Sequence, residues 1–188
     1  MFVLYALVAG LVVGLAAGGR PSALADIRFR WAPLIALGFL AQVVLFTDAV
    51  ASRVGDFGPV LYVATTLVVV VAVLRNLDLP GIWLVVLGAV CNLAAIVSNG
   101  GYMPATPEAL ASFGKGAPTI YSNSAVVASP NLAWLIDRFA LPRWVPFANI
   151  FSVGDVLLAL GVFVLLVVVL RRGRRPATPV APSSVEPA

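Results

Sequence analysis

The acid at position 155 is where this sequence comes closest to chemistry. Ser152-Val153-Gly154-Asp155 opens the last apolar stretch, and Asp155 is the one acid in or beside such a stretch. A serine three residues before an acid at a helix start fits a capping box, in which each side chain takes up a free N–H of the first turn. Read the other way, the acid is a ligand or proton site, because ionisable groups within apolar spans are costly and tend to be functional. On the fourth apolar stretch Gly88, Asn92, Ala95 and Asn99 recur three or four residues apart and share one small, polar helix face. Its amides serve either as hydrogen-bonding glue between helices or as the lining of a polar site. Gln42 lies in the second stretch. With the second and fourth stretches running outward and the fifth inward, Gln42, Asn92, Asn99 and Asp155 are expected to converge as ligand-binding residues. Their expected place is a shallow pocket beneath the fourth loop, open to the outside or to the outer leaflet.

Other chemistries are poorly supplied. The chain has no histidine, which removes the commonest zinc ligand and the usual general base near neutral pH. Its single cysteine, Cys91, lies in an apolar run, so neither an intrachain disulfide nor a thiolate metal cluster is available. No catalytic residue, metal site or cofactor is assigned, and the sequence leans away from an enzyme. An enzyme without histidine would have to use Asp155 as its acid or base.

The elements that position these residues are set by composition. Of the 188 residues, 61% are hydrophobic and 11% charged, and mean hydropathy is +1.04. Soluble domains hold about 45–50% apolar residues, so this chain calls for an apolar solvent. Five runs meet or approach the roughly 17–25 residues of a membrane span, at about 2–18, 31–47, 59–74, 82–98 and 153–170. The expected fold is an all-α bundle of five transmembrane helices with a short extracytoplasmic interfacial helical segment. Arg20, Arg28, Arg30, Arg75, Arg171, Arg172, Arg174 and Arg175 fall on one side, and Arg53, Lys115, Arg138 and Arg143 on the other, eight against four. The richer side is cytoplasmic by the positive-inside rule. That puts the amino terminus outside and the carboxyl terminus inside a bacterial cytoplasmic membrane.

The outer loop 100–150 is long enough to hold structure of its own. Within it Thr106-Pro107-Glu108 predicts a capped short helix through Ala111. Asn131–Phe139, rich in apolar residues, is expected along the outer membrane surface, with Trp144 and Phe147 following. The segment 172–188 reads as a disordered basic and proline-rich tail, its arginines a topology anchor or a site for anionic lipid heads. The charges form no stripe for nucleic acid.

Gly10, Gly14 and Gly18 at four-residue spacing make a groove for close helix packing, within the chain or between protomers, and Gly88 and Gly161 are further packing positions. The partners expected are the lipid bilayer and either a membrane-protein partner or a second copy. No fixed-period repeat or pair of matching halves is visible.

Asn99-Gly100-Gly101-Tyr102-Met103-Pro104, then Pro107-Glu108-Ala109-Leu110, and the run Phe151 to Gly161 carry a resemblance. Over nearly all of residues 1–171 the chain resembles a family of small bacterial integral-membrane proteins known as a domain of unknown function, with N-G-G-x-M-P and S-x-G-D motifs. The resemblance implies the fold and no reaction. Intramembrane aspartyl proteases carry G-x-G-D at a helix, where this chain has Ser152 in place of the first glycine. They also need a second aspartate facing the first, whereas Asp48, Asp78 and Asp137 sit in predicted loops. The expected role is therefore a non-enzymatic accessory, structural or regulatory subunit of a membrane complex. The alternatives are an outer-facing small-molecule or lipid binding or transport protein, and a membrane enzyme using Asp155.

Overall fold

A computed structural model describes residues 2–112, 124–125 and 129–172. Its helices are α1 (Phe2–Ala16), α2 (Ala32–Leu45), α3 (Asp48–Val54), α4 (Gly58–Leu74), α5 (Ile82–Ser98), α6 (Pro107–Ser112) and α7 (Val153–Arg172). Runs of Val, Leu and Ala offer the backbone no competing polar side chains, so the intrahelical ladder is the way its N–H and C=O groups are satisfied. Two helices are long and apolar enough to cross a membrane, Val153–Arg172 and the run Asp48–Leu74 taken through a 3₁₀ turn at Gly55–Phe57. Three more, α1, α2 and α5, are apolar but shorter.

Several elements differ from the sequence expectation. The second loop is itself helical, as α3 and the 3₁₀ turn fill the ground between α2 and α4. Helix α1 ends at Ala16, before Gly18 turns the chain with a φ of 79°. The expected short helix after Thr106 is present as α6, with the Ala109 N–H donating to Thr106 Oγ1 at 3.2 Å. Asn131–Ile136 is a run of turns and bends rather than an interfacial helix. The tail from 173 onward and Lys115 lie outside the described residues.

Helix α7 is the centre of the bundle. It packs on one side against α1 and on the other against α5; α5 in turn carries α4, and α4 carries α2. Glycines set the closest approaches. Gly88 faces the Gly154 carbonyl and Gly81 faces the Gly161 carbonyl, so α5 and α7 run antiparallel with backbone against backbone at two places. Gly10 lies against Phe163 and Leu166, and Gly14 against Leu170, so α1 runs parallel to α7. The first-helix glycine face is thus filled from within the chain, and Gly19 rather than Gly18 makes the third close approach to α7, at Leu170.

The end of the bundle that carries most of the arginines is tied by a residue the sequence reading passed over. Asn76, 1% exposed, accepts from the Arg30 N–H at 2.6 Å and donates to the Arg30 and Ala72 carbonyls at 3.1 and 3.0 Å. It clamps the first loop to the end of α4. The Arg30–Asp78 ion pair beside it is 2.8 Å long but more than half exposed on both sides, and such pairs contribute little.

The opposite end carries the long loop, held by two small sheets. Strand β1 (Met103–Pro104) pairs in parallel with β2 (Ser124–Ala125), and β3 (Phe139–Ala140) pairs antiparallel with β4 (Ile150–Phe151).

A Cβ at Gly88 would stand 2.8 Å from the Leu158 amide nitrogen and 3.0 Å from Leu158 Cγ, atoms that yield only if α5 and α7 separate. Gly88→Ala is expected to cost about 1–3 kcal/mol and lower the melting temperature in detergent by roughly 2–10 °C. Leu87→Ala, one position away and 45% exposed, is expected to shift it by no more than about 2 °C.

Candidate functional site

Asp155 closes the capping box that its spacing from Ser152 predicts and also bonds across to the neighbouring helix. The Ser152 N–H donates to Asp155 Oδ2 at 3.0 Å and the Asp155 N–H donates to Ser152 Oγ at 3.1 Å, a closed capping box at the start of α7. From the neighbouring helix Asn92 Nδ2 donates to Asp155 Oδ1 at 3.0 Å, while the Ser152 hydroxyl donates to Asn92 Oδ1 at 2.8 Å. Ser152 is fully buried. The network exists because Gly154 has no side chain: Asn92 Oδ1 occupies the place its Cβ would take.

The loop brings a second acid to the same place. Helix α5 closes in a Schellman turn, with the Gly101 N–H on the Ile96 carbonyl at 2.9 Å and the Gly100 N–H on the Val97 carbonyl at 3.4 Å. Gly100 and Gly101 have φ of 73° and 88°, a region that favours glycine, and Gly101 also lies flat against Pro59. Asn99 then works as a peg for the loop. Its amide accepts from the Asn131 N–H at 2.8 Å and donates to the Asn131 carbonyl at 3.0 Å, and Asn131 Nδ2 donates to the Ser98 carbonyl at 2.7 Å. Six residues on, the Asp137 N–H donates to the Pro104 carbonyl and the Thr106 N–H to the Asp137 carbonyl, each at 2.9 Å. The backbone of Asp137 is thereby locked between the residues that follow the N-G-G turn.

Asp137 and Asp155 line one cavity of about 230 Å³ with Asn92, Asn149, Tyr62 and the apolar side chains of Phe2, Val3, Ile96, Met103 and Ile150. Its rim is aromatic. Phe2 stacks on Phe151 at 4.2 Å between ring centroids, Phe139 stands 5.5 Å from Phe151, and the Tyr5 hydroxyl donates to the Pro146 carbonyl. Asp137 is 8% exposed, and among the described residues no hydrogen bond reaches its carboxylate. Burial first, and the charge of Asp155 second, push its pKa up from 3.8 to about 7. Asn149 donates to the Ile150 carbonyl at 2.8 Å through Nδ2, while its Oδ1 is buried without a partner. Among the described residues no group of three or more His, Cys, Asp or Glu side chains could hold a metal ion.

Of the residues expected to converge, the structure brings Asn92 and Asp155 together and leaves the other two elsewhere. Gln42 Nε2 donates to Thr66 Oγ1 at 3.1 Å and joins α2 to α4. Asn99 sits above the cavity, holding the loop. Asp137 and Asn149 are the residues that sequence reasoning missed. Asp137 falls in a predicted loop, and the available signal was the apolar pair Leu135 and Ile136 directly before it, each 3% exposed.

Residues 26–167 match the family of unknown function DUF5317, and the chain belongs to that family. No curated protein and no solved structure matches it.

The raised pKa of Asp137 fixes the sign of a pH effect. Between about 3.8 and about 7 the folded protein holds a proton that the unfolded chain has released, so stability falls as pH rises through this window. At about 1.4 kcal/mol per pH unit the loss is of the order of a few kcal/mol. The melting temperature is expected to be several degrees lower at pH 8 than at pH 5, and Asp137→Asn is expected to abolish most of that difference. An unchanged difference in the variant would assign the effect to other groups.

Proposed function

We propose that this DUF5317 protein is a five-span protein of the bacterial cytoplasmic membrane that binds a small ligand in the cavity at its outer end. The observation that carries this reading is the construction of the cavity. Two separate hydrogen-bonded frames, one from the N-G-G turn and one from the S-x-G-D helix start, deliver two acids to one half-open, partly apolar space. Structural polar groups are ordinarily saturated by their neighbours, yet among the described residues no hydrogen bond reaches the Asp137 carboxylate or Asn149 Oδ1.

Five spans are supported by the surface. Leu37, Leu40, Val43, Val60, Val12 and Trp83 are each 57–66% exposed on helix faces, a distribution suited to lipid. Trp134, Trp144 and Phe147 are exposed at the loop end and Trp31 at the arginine end, in keeping with aromatic belts. Helices of 14–17 residues reach about 21–26 Å against a hydrocarbon core of about 30 Å. Flanking turns and local bilayer thinning make up such a difference. The charge bias supports an outer loop, an outer amino terminus and a cytoplasmic tail.

An accessory-subunit role has less behind it, because the first-helix glycine face that would receive a partner helix is covered by α7. An enzyme using Asp155 would need that carboxylate free to exchange protons. Both of its oxygens already accept hydrogen bonds, and none links it to Asp137.

In a Cys91→Ala background, Asn149→Cys is expected to react with a membrane-impermeant maleimide on intact cells, and Asp78→Cys only after permeabilisation. The opposite pattern would invert the topology. Native mass spectrometry of the unaltered protein from nanodiscs is expected to show added small-molecule mass, which Val3→Trp, filling the cavity, removes. A stoichiometric protein partner without small-molecule mass would instead make the chain a subunit.

A further inference from the structure

Resting on the reading of the cavity as a binding site, the balance of hydrogen-bonding groups in it identifies the class of ligand. Among the described residues, Asp137, 8% exposed, offers a carboxylate that no hydrogen bond reaches, Asn149 offers a buried, unpartnered Oδ1, and Asp155 adds a second carboxylate. Against these acceptors stand few donors. Asn92 Nδ2 is committed to Asp155, among the described residues no Lys or Arg lines the space, and the Tyr62 hydroxyl remains. A buried carboxylate without a partner is strongly disfavoured, so the site is balanced in one of two ways: Asp137 keeps a proton, or a cation with several N–H donors enters.

The walls select the kind of cation. Calcium takes about 6–8 oxygen ligands, and two carboxylates with one amide oxygen fall well short. The rings of Phe2 and Tyr62 with Ile96 and Met103 give nothing to a bare ion, but they suit the carbon body of an amine, and aromatic faces attract ammonium groups. An anionic ligand would meet two acids. The volume of about 230 Å³ lies below the range of about 300–1,000 Å³ typical of drug-sized sites, which points to a small molecule.

We infer that the cavity binds a small organic ammonium ion, which takes the place of a proton on Asp137. The ammonium enters with its charge, the Asp137 carboxyl releases its proton to water, and N–H···O bonds form to Asp137 and Asn149 Oδ1. One cation enters, one proton leaves, and no covalent bond other than that O–H changes. The titratable groups lining the cavity with Asp137 are Asp155 from α7 and Tyr62 from α4; α1 contributes Phe2 and Val3, α5 Asn92 and Ile96, and β1 Met103. Arg138, next along the chain, and Glu108 on α6 are exposed.

The test is titration calorimetry of the full chain in nanodiscs with benzylammonium, and with benzyl alcohol as its uncharged analogue. Val3→Trp supplies the baseline for uptake by lipid. Repeating the titration in two buffers of different ionisation enthalpy counts released protons. Benzylammonium is expected to bind roughly tenfold tighter at pH 8 than at pH 6, releasing close to one proton at pH 6 and almost none at pH 8, with the alcohol at least roughly tenfold weaker. Asp137→Asn is expected to weaken benzylammonium by a similar factor and to remove both the pH dependence and the proton release. Equal binding of the alcohol, or benzylammonium binding without proton release at pH 6, would overturn the inference while leaving a ligand pocket in place. Binding of neither probe, together with no small-molecule mass on the native protein, would remove the pocket reading and the inference with it. The pH and proton measurements use the unaltered chain, so the outcome does not hang on the variant folding.

Discussion

The contact on which the rest of the structure depends is the approach of α5 to α7, where glycine meets backbone at Gly88 and Gly154 and again at Gly81 and Gly161. Small residues let helices come close enough for backbone and short side chains to interact. At this site the consequence is specific. Asn92 reaches over Gly154 into the first turn of α7 and joins the Ser152–Asp155 cap. A larger residue at either glycine would part the helices, leave the cap without its third member and widen the cavity floor.

The two acids of the cavity are held by opposite means. Asp155 has its side chain fixed on both oxygens, by Asn92 and by the Ser152 N–H. Asp137 has its backbone fixed, at the Pro104 carbonyl and the Thr106 N–H, and among the described residues no hydrogen bond reaches its carboxylate. One is therefore held by its neighbours on both oxygens, and the other is left open to what else is present. Burial and the neighbouring charge both favour the protonated form of Asp137, which is how a site can discriminate between an empty and a cation-filled condition with a single side chain.

The parts legible in the sequence are those governed by short-range rules. The run 82–98 is helix over those same residues, because hydropathy, a glycine start and a glycine-rich stop all mark it. The pairing of Ser152 with Asp155 follows from a spacing of three at a helix start. Asn92 and Asn99 do share a helix face, but one meets α7 and the other meets the loop, since they are two turns apart along the axis. What the sequence hides depends on the path of a loop. Asp137 arrives through the Asn99–Asn131 peg and the Ala105–Asp137 bridge, pairings between distant residues that no periodicity announces. The partner of Gln42 is hidden for a similar reason. Thr66 is an unremarked residue on α4, and only the packing of α2 selects it.

The cavity is also bordered by pairings between residues far apart along the chain. Phe2 stacks on Phe151, and Tyr5 reaches Pro146 across 141 positions. Contacts of such separation form late, because the loop between them must be ordered first. Helices α2, α4 and α5 can associate while α1 has no surface to pack on, and α1 finds its groove only when α7 is in place. The cavity thus depends on the joining of the two ends of the fold, and a chain lacking α7 would leave the glycine faces of α1 and α5 bare.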